Sequence, residues 1–567
     1  MLYPRRAAVF AAFLTLASLA DAAAAKRHGE VYDVREYGAK GDGTTLDTKA
    51  IQAAVDDCTK AGGGVVLLHG GDFLSGTVQL KDNVMLRVSQ SARLLGSTKR
   101  EDYLNRDEMT KRGAGPGNGN IVLVFAANAK NVTVEGPGSV NGQGRAFYTG
   151  HGDGTAPSGS TSSGAALESP EDPREPNRDR PHLMVFEHVQ GLKIRDVFLT
   201  ASAYHGVRIL RCEHVDIDGV RIHNRVNYNN DGFHFNSCKY VRVSNCEVLC
   251  QDDGCALFGS NQFVTITNCT FSTRWSIFRF GGGAAQNIAI SNILIYDTYG
   301  SPIKISSGGG TQLENLSFSN IVMRNVTGPI SVGFGPRRRR EGDPTPAPDA
   351  TPRPPSFVRN LSFHNIRATL VPEPLLHEEL KFERHRIYDG EQNSALTLNA
   401  YGDAYIENVT LSDIHITSPG GGTAELAAKK DIPETAAEYF QVWGKQPFGN
   451  PAYGIFARNV RGLRMQNVTL DYEKDDVRPA LIFDNVSNAS VANLNVEGSA
   501  SQAAALRIRN SKDVYIDAPR LTAPAPVFLQ VEGADNRNIT VDGGDIAKAG
   551  KPLAAVDGAA ETAVKVR

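Results

Sequence analysis

The chain has 567 residues, a formal net charge of −2 and 56 glycines. Because the charge is close to neutral, the chain lacks the overall basic field that binds nucleic acid, so no nucleic-acid partner is expected. Beyond the N-terminus no apolar run reaches the ~18 residues that a membrane-spanning helix requires, so no membrane span is predicted. Abundant glycine, modest aromatic content and frequent valine and isoleucine runs favour an all-β fold.

The first 25 residues have the three parts of a secretory signal peptide. Arg5 and Arg6 precede an apolar run over residues 7–20, and four alanines follow at residues 22–25. A basic start, an apolar core and a small-residue exit are typical of such signals. We therefore predict that residues 1–25 are removed and that the mature protein is exported, to the periplasm or outside the cell.

A helix is predicted soon after the mature N-terminus, where Asp47 or Thr48 can cap it. Its apolar face consists of Ile51, Ala54, Val55 and Cys58. A glycine run ends the helix, and a strand begins at Val65. Such a helix can cover the open end of a stack of strands, where apolar surface and strand edges would otherwise be exposed.

Short apolar–polar–apolar strands that end in asparagine recur roughly every two dozen residues. Clear copies are Val241-x-Val243-x-Asn245, Val264-x-Ile266-x-Asn268, Ile288-x-Ile290-x-Asn292 and Leu316-x-Phe318-x-Asn320. A repeat of this length predicts a solenoid in which each coil rests on the previous one. Equivalent residues of adjacent coils would then lie about 4.8 Å apart, the spacing of paired strands.

Weaker copies of the repeat continue toward the C-terminus, so residues 26–567 are predicted to form one domain with three surface insertions. The insertion near 150–180 is rich in serine, glycine, proline and charge. The insertion at 337–355 contains four consecutive arginines and is either a solvated loop or a loop that attracts a polyanion. The insertion at 420–450 carries aromatic residues that either stack on sugars or pack against the coils.

Three aspartates stand on what should be neighbouring coils. Asp231 lies in an Asn-Asn-Asp-Gly segment, and Asp252 and Asp253 lie 21 residues further on in Gln-Asp-Asp-Gly. Carboxylates brought together in this way can act as acid and base in glycosidic hydrolysis, and their crowding raises at least one pKa. Adjacent residues of a regular strand face opposite ways, so Asp252 and Asp253 share a face only if the chain bends, as Gly254 allows. The alternative is that all three are turn residues.

Together these segments resemble the polygalacturonase family, glycoside hydrolase family 28, within the pectate-lyase-like superfamily. The resemblance also rests on residues 32–43, 76–84 and 132–144. It implies a right-handed parallel β-helix with an N-terminal capping helix. It implies inverting hydrolysis of a uronate-containing pectic polysaccharide or oligosaccharide, of the polygalacturonan or rhamnogalacturonan type. Asp252 would be the general acid, and Asp231 and Asp253 would hold and activate water.

Two family motifs are altered. The Gly-His-Gly motif should fall at residues 273–275, which are Thr-Arg-Trp, and Arg-Ile-Lys appears as Pro-Ile-Lys at 302–304. Arg274, Arg279 and Lys304 are candidates to bind a uronate carboxylate. The alternatives are that they form salt bridges to the aspartates or lie on solvated faces of the coils. His234 is a candidate substrate-binding residue or a packed one. Two other functions stay open, namely a polysaccharide lyase on the same scaffold and a non-catalytic carbohydrate-binding solenoid.

The seven cysteines are an odd number, so at least one has no partner within the chain. Cys246 and Cys269 occupy equivalent repeat positions, which predicts either an interior stack or a disulfide. No cysteine or histidine spacing matches a zinc site. We expect a monomer with a polysaccharide or oligosaccharide substrate, no cofactor and no metal.

Overall fold

The computed structural model describes residues 31–106, 120–150, 174–176, 180–336, 355–373, 375, 377–380, 391–432, 434, 442–443, 446–447 and 449–567. The predicted signal peptide lies outside the described residues, as do residues 337–354 and most of the insertion near 150–180.

The predicted fold is confirmed, because the chain winds into a right-handed parallel β-helix whose strands lie in three rows. The row that carries the candidate site is called the first sheet. It contains Val78–Gln79, Val122–Ala127, His182–Glu187, Val207–Leu210, Phe233–Asn236, Cys255–Phe258, Phe278–Gly281, Ile303–Gly308, Ile330–Gly335, Leu396–Ala400, the starts of Ile455–Lys474 and Leu481–Val496, Leu506–Arg509, Ala525–Glu532 and Ala549–Val556.

The second and third sheets complete each coil. The second contains Val31–Asp33, Gly64–Leu68, Val84–Val88, Lys130–Glu135, Gln190–Arg195, Glu213–Asp218, Lys239–Ser244, the long strands Gln262–Ser272, Ala284–Thr298, Gln312–Val326, Phe357–Leu370, Ile406–Gly420, Ile455–Lys474 and Leu481–Val496, then Lys512–Asp517, Arg537–Asp542 and Val564–Val566. The third contains Asp42–Leu46, Gly71–Ser75, Ala92–Gly96, Ser139–Asn141, Phe198–Thr200, Arg221–Asn224, Glu247–Cys250, the ends of the long strands, and Arg520–Leu521.

The asparagines that end the sequence repeat turn the chain from the second sheet into the third. Asn268, Asn292, Asn320 and Asn365 all have φ between 49° and 57°, a left-handed conformation that asparagine tolerates better than most residues. Their side-chain amides form a ladder, in which each Nδ2 donates to the Oδ1 of the previous coil over 3.0–3.3 Å. The repeat therefore marks the corner of each coil.

The interior of the solenoid is a continuous apolar stack. Phe318 and Phe363, one coil apart, stack with their ring centroids 5.1 Å apart. All seven cysteines are buried and in the thiol form, and the amide N–H of Cys246 approaches Cys269 Sγ at 3.4 Å. Of the two arrangements predicted for Cys246 and Cys269, the structure contains the interior stack.

The capping helix runs from Thr48 to Lys60, and its predicted face of Ile51, Ala54, Val55 and Cys58 is buried. The predicted capping position is confirmed for Asp47, but no side chain makes a capping hydrogen bond to this helix. Asp47 is the N-cap residue, but its carboxylate accepts hydrogen bonds from the amides of Lys40 (2.7 Å) and Gly41 (2.9 Å). Thr48 Oγ1 instead accepts from the amide of Gly76 (2.8 Å). Both side chains thus accept hydrogen bonds from backbone amides of the neighbouring loops instead.

The remaining regular structure is short and lies at the edges of the coils. It comprises the helix Ala424–Ala427, the 3-10 turns Arg100–Asp102, Gly144–Phe147, Glu378–Leu380, Glu391–Asn393 and Glu561–Ala563, and the hairpins Tyr148–Gly150 with Arg174–Pro176 and Val442–Trp443 with Gln446–Pro447. Within the described part of the chain, no helix is long and apolar enough to cross a membrane.

A buried ion pair anchors the ends of the insertion at 420–450. Arg478 and Asp476 are both fully buried and bonded through Nε and Nη2. Nη1 of Arg478 donates to the carbonyls of Asn393 (2.9 Å) and Asn450 (3.1 Å), and the Asp476 carboxylate accepts from the amide of Gly422 (3.2 Å). One charge pair therefore joins segments from both sides of the insertion to the coil.

Candidate active site

Four successive coils place a polar residue two positions before a strand of the first sheet. These residues are His205, Asp231, Asp253 and Ser276. The coils are held in register there by hydrogen bonds from Gly232 N to Asp253 O (2.9 Å) and from Gly254 N to Ser276 O (2.8 Å). Gly232 is required at this position, because a Cβ would lie 2.4 Å from the carbonyl oxygen of Gly254. The repeat thus stacks two of the three predicted acids.

Buried amides hold the loop that carries Asp231. Asn230 is fully buried, accepts from the amides of Val226 and Asn227, and donates to the carbonyls of Ser202 and Tyr204. Its own carbonyl accepts from the amides of both Gln251 and Asp252 (3.1 Å each), where the next coil bends. Asp252 and Asp253 can face the same site only if the chain bends, and the chain bends here.

Asp231 is buried beside two histidines. Its Oδ2 lies 3.0 Å from Nδ1 of His234 and 3.8 Å from Nδ1 of His205. Burial, followed by repulsion from Asp253, raises the pKa of Asp231 well above its ordinary value. His234 is itself buried, and desolvation followed by the charge of Arg208 lowers its pKa to about 3. The neutral imidazole can therefore donate its Nδ1 proton to Asp231.

Asp252 is partly exposed and has few polar partners. Its Oδ2 accepts from Asn229 Nδ2 (3.2 Å), and its Oδ1 accepts from the amide of Asp253 (2.9 Å). Asn229 reaches it from a left-handed conformation with φ of 58°. Burial and then the charges of Asp231 and Asp253 raise the pKa of Asp252 well above its ordinary value. A carboxyl in such surroundings keeps its proton at a pH where an isolated one has lost it.

Asp253 is held in an ion pair. Its Oδ2 lies 3.0 Å from Nη1 of Arg279, and its Oδ1 accepts from the hydroxyl of Ser276 (2.9 Å). The guanidinium of Arg279 also lies over the ring of Phe258, 5.3 Å from its centroid. Asp253 therefore differs from Asp252, because it faces a cation and a hydroxyl donor on the next coil.

The register between successive coils also aligns several basic side chains in one line on the outer face of the first sheet. Arg208, His234, Ala256, Arg279, Lys304 and Ser331 are in register on six consecutive strands. Their neighbours along each strand point into the core, so these six point outward. Arg279 and Lys304 are therefore adjacent, and Lys304 also lies 5.8 Å from the ring of Trp275.

Comparison with known proteins shows the family of the chain. The family model described as glycosyl hydrolases family 28 matches residues 65–369, more than half of the chain. The chain belongs to this family. It is 25% identical to the exo-poly-alpha-D-galacturonosidase of Dickeya chrysanthemi, over 52% of this chain and 56% of that protein. It is also 25% identical to a polygalacturonase of Persea americana, over 60% of this chain and 68% of that protein. The chain thus spans little more than half the length of the first relative.

A solved structure, the family 28 exopolygalacturonase of Yersinia enterocolitica, is 17% identical with a TM-score of 0.47, over 89% of this chain and 78% of that one. Membership in family 28 confirms the resemblance drawn from the sequence and the prediction of a glycoside hydrolase.

Arg274 has contacts other than the three aspartates. Arg274 is buried, donates to the carbonyl of Tyr299 (3.3 Å) and lies 3.9 Å from Glu391. Its guanidinium also covers the ring of Trp275 at 5.0 Å. Of the predicted residues, the structure therefore brings together Asp231, Asp252, Asp253, His234 and Arg279, with Lys304 on the next strand. Arg274 instead contacts Tyr299, Glu391 and Trp275.

Three residues near the acids escaped the sequence analysis. Arg208 has a buried Nε without a hydrogen-bond partner among the described residues. His205 stacks on His234 with ring centroids 5.2 Å apart, and His182 meets His205 edge-on at 5.0 Å. Burial lowers the pKa of His182 and of His205 well below the ordinary value. A signal was present, because His205-Gly-Val-Arg208-Ile has the same pattern as Asp231-Gly-Phe-His234-Phe.

One set of these side chains has the geometry to hold a metal ion. Ligand atoms of His205, Asp231 and His234 lie within 4.8 Å of one another. Two imidazoles and a carboxylate are ordinary ligands for a transition metal. The nearby guanidinium of Arg208 already lowers the pKa of His234 by its charge, and the same charge opposes a second cation. The reaction considered below uses the side chains alone.

Proposed function

We propose that the protein is an exported glycoside hydrolase that cleaves a uronate-containing pectic polysaccharide or oligosaccharide by an inverting mechanism. The observation that carries the proposal is the meeting of Asp231, Asp252 and Asp253 on adjacent coils, with the pKa of Asp252 raised by burial and by the other two charges. Crowded carboxyls in different surroundings are what acid and base catalysis of glycoside cleavage requires.

Each acid has a role that follows from its contacts. Asp252, partly exposed and still protonated, donates its proton to the glycosidic oxygen as the bond to the anomeric carbon breaks. Asp231, bonded to His234, and Asp253, paired with Arg279, hold a water molecule. Asp253 takes up one proton from this water as its oxygen attacks the anomeric carbon from the opposite face. One water is consumed, one new hydroxyl is formed at each end, and the configuration at the anomeric carbon is inverted.

The outward line of Arg208, Arg279 and Lys304 supports a uronate substrate. The two guanidinium groups lie on either side of the acids along the solenoid axis, since Arg208 precedes His234 and Arg279 follows Ala256 in the register. Guanidinium groups bind planar carboxylates through paired donors. Sugar units on both sides of the cleaved bond would then present their carboxylates to a cation.

Export and domain organisation are part of the same proposal. Residues 1–25 act as a signal peptide, and residues 26–567 form a single monomeric domain with its three insertions. N-terminal sequencing tests the cleavage. The protein purified after expression in a secreting host is compared with the cytoplasmic precursor. Removal of a segment of a clearly different length would contradict the predicted boundary.

Product analysis tests the reaction directly. The protein is incubated with polygalacturonate, with rhamnogalacturonan and with oligomers of each between pH 4 and 8, and reducing ends and ultraviolet absorbance are recorded together. We expect new reducing ends without unsaturated products, and proton NMR of the first product is expected to show the inverted anomer. Unsaturated products would instead identify a lyase.

Two outcomes would overturn the proposal. One is the absence of cleavage of every uronate-containing glycan across this pH range by a protein that is folded by circular dichroism. The other is a first product with retained configuration, which would require one aspartate to act as a nucleophile.

A further inference from the structure

Trp275 occupies, one coil after the acids, the place that Asp252 occupies among them. Asp252 directly precedes Asp253, and on the next coil Trp275 directly precedes Ser276. The amide of Gly254 donates to the carbonyl of Ser276 (2.8 Å), which keeps these two coils in register. Equivalent backbone atoms of the two coils therefore lie about 4.8 Å apart. An indole thus follows the proposed general acid along the solenoid axis.

The backbone of Trp275 is tied to that of Asp252. The hydroxyl of Thr273 donates to the carbonyl of Asp252 and accepts from the amide of Trp275 (3.2 Å). On the following coil, the amide of Gly300 donates to the carbonyl of Trp275 (3.1 Å). A Cβ at Gly300 would lie 2.9 Å from the carbonyl carbon of Trp275, so this close approach requires glycine. The backbone of Trp275 is therefore held on both sides, and the equivalent place of the following coil carries no side chain.

Two buried cations flank the indole. The guanidinium of Arg274 lies 5.0 Å from the centroid of the ring, and Nζ of Lys304 lies 5.8 Å from it. Both cations are buried, whereas Trp275 is partly exposed. Cations are attracted to the face of an aromatic ring. The indole is therefore held by its neighbours and still presents surface to a ligand.

The indole belongs to the same surface as the acids. Lys304 is the outward neighbour of Arg279 on the next strand of the first sheet. The guanidinium of Arg279 in turn bonds Asp253 at 3.0 Å. A glycan that reaches the acids and continues toward the C-terminal coils must therefore pass Trp275.

An aromatic ring beside an ammonium group suits one unit of a uronate glycan. A pyranose ring has C–H groups on its faces, which pack against an aromatic ring, and polar groups at its rim. A uronate adds a carboxylate at the rim, and Lys304 is the cation beside the indole on the outward line. A neutral sugar would gain the stacking contact alone. The indole and the ammonium group together therefore favour a charged unit.

We propose that the indole of Trp275 packs against the uronate unit next to the cleaved bond, on the C-terminal side of the acids, with the carboxylate of this unit at Lys304. The inference rests on the proposed function, because it places this unit beside the oxygen that Asp252 protonates. Trp275 is a substrate-binding residue and takes no part in proton transfer.

Tryptophan fluorescence measures this contact without turnover. The chain has two tryptophans, Trp275 and Trp443, so removing each in turn assigns the emission. Trigalacturonate is titrated into the Asp252→Asn variant, in which cleavage is slowed. We expect the emission to change on binding. The change should persist when Trp443→Phe is added and disappear when Trp275→Phe is added.

Titration calorimetry in the same Asp252→Asn background gives the affinities. Trp275→Leu keeps an apolar side chain but removes the aromatic face, and it is expected to weaken trigalacturonate binding about tenfold. Trp443→Leu makes the same change at the other tryptophan and should leave the affinity unchanged. The methyl ester of trigalacturonate lacks the charge and should bind roughly fivefold more weakly than the acid.

Kinetics separate a binding role from a structural one. In the otherwise native protein, Trp275→Leu is expected to raise KM for polygalacturonate about tenfold, with kcat and the pH profile of kcat nearly unchanged. A purely structural role would lower kcat and the melting temperature together. Circular dichroism shows whether each variant is folded, and if Trp275→Leu is not, the emission of Trp275→Phe decides.

Three results would overturn the inference. They are an emission that stays constant on binding or still changes in Trp275→Phe, an affinity of Trp275→Leu equal to that of the native side chain, and equal affinities for the acid and its methyl ester. Failure of the hydrolysis is a separate outcome. Absence of cleavage with the Trp275 emission change intact would overturn the proposed function and support the binding. Cleavage with an unchanged KM in Trp275→Leu would overturn the binding and leave the hydrolysis in place.

Discussion

Replacing Asp252 with asparagine should lower activity and raise stability at neutral pH. The change keeps the size of the side chain but removes the proton that the leaving oxygen needs. General acid catalysis contributes about 10²–10⁴ in rate, so kcat is expected to fall by that factor, equivalent to about 2.7–5.4 kcal/mol in activation free energy. KM should change little, because the amide still occupies the same site.

The stability change follows from the raised pKa of Asp252. Between its ordinary pKa and its raised value in the folded protein, the folded state binds more protons than the unfolded state. Stability therefore falls as the pH rises through this interval, by about 1.4 kcal/mol for each unit of pKa difference. The asparagine variant escapes this loss, so it should be more stable than the native protein at pH 7 and no more stable below about pH 4.

The assay pairs reducing-end release on polygalacturonate with urea unfolding at pH 4 and pH 7. Asp535→Asn, at an exposed turn near the C-terminus, makes the same chemical change where no effect on either measurement is expected. The reasoning is refuted if the Asp252 variant keeps more than a tenth of the native kcat. It is also refuted if the variant is less stable than the native protein at pH 7 by the same amount as at pH 4.

Three further predictions concern the neighbouring contacts. Arg208→Met should raise KM for polygalacturonate at least tenfold with a smaller change in kcat, and an unchanged KM would exclude Arg208 from substrate binding. Because the pKa of His234 is about 3, the fall of activity at alkaline pH is assigned to the loss of the proton of Asp252 and not to His234. His234→Gln should therefore leave this alkaline limb of the pH profile in place. If the limb disappears in the variant, it belongs to the imidazole. Arg478→Met leaves Asp476 buried without its partner and should cost about 3–5 kcal/mol of unfolding free energy by urea titration, whereas a loss below 1 kcal/mol would show that the pair is dispensable.

Much of the candidate site follows from periodicity. A repeat of two dozen residues fixes the coil, and residues one repeat apart then lie beside each other on the same face. The stacking of Asp231 and Asp253 required no more than this, and the same pattern, applied one coil earlier, would have found His205 and Arg208. Arg274 was harder to place, because it lies in a loop before a strand, where no alternation defines its direction.

The sequence alone determined that this protein is a β-solenoid with an N-terminal cap and that three aspartates fall on adjacent coils, since both depend on the order of residues within a coil. Only the tertiary structure decided which charges pair. Arg279 bonds Asp253, and Arg274 approaches Glu391 from more than a hundred residues away in the chain. Burial and partner choice depend on contacts between segments that no local pattern relates, and these contacts set the pKa values on which catalysis depends.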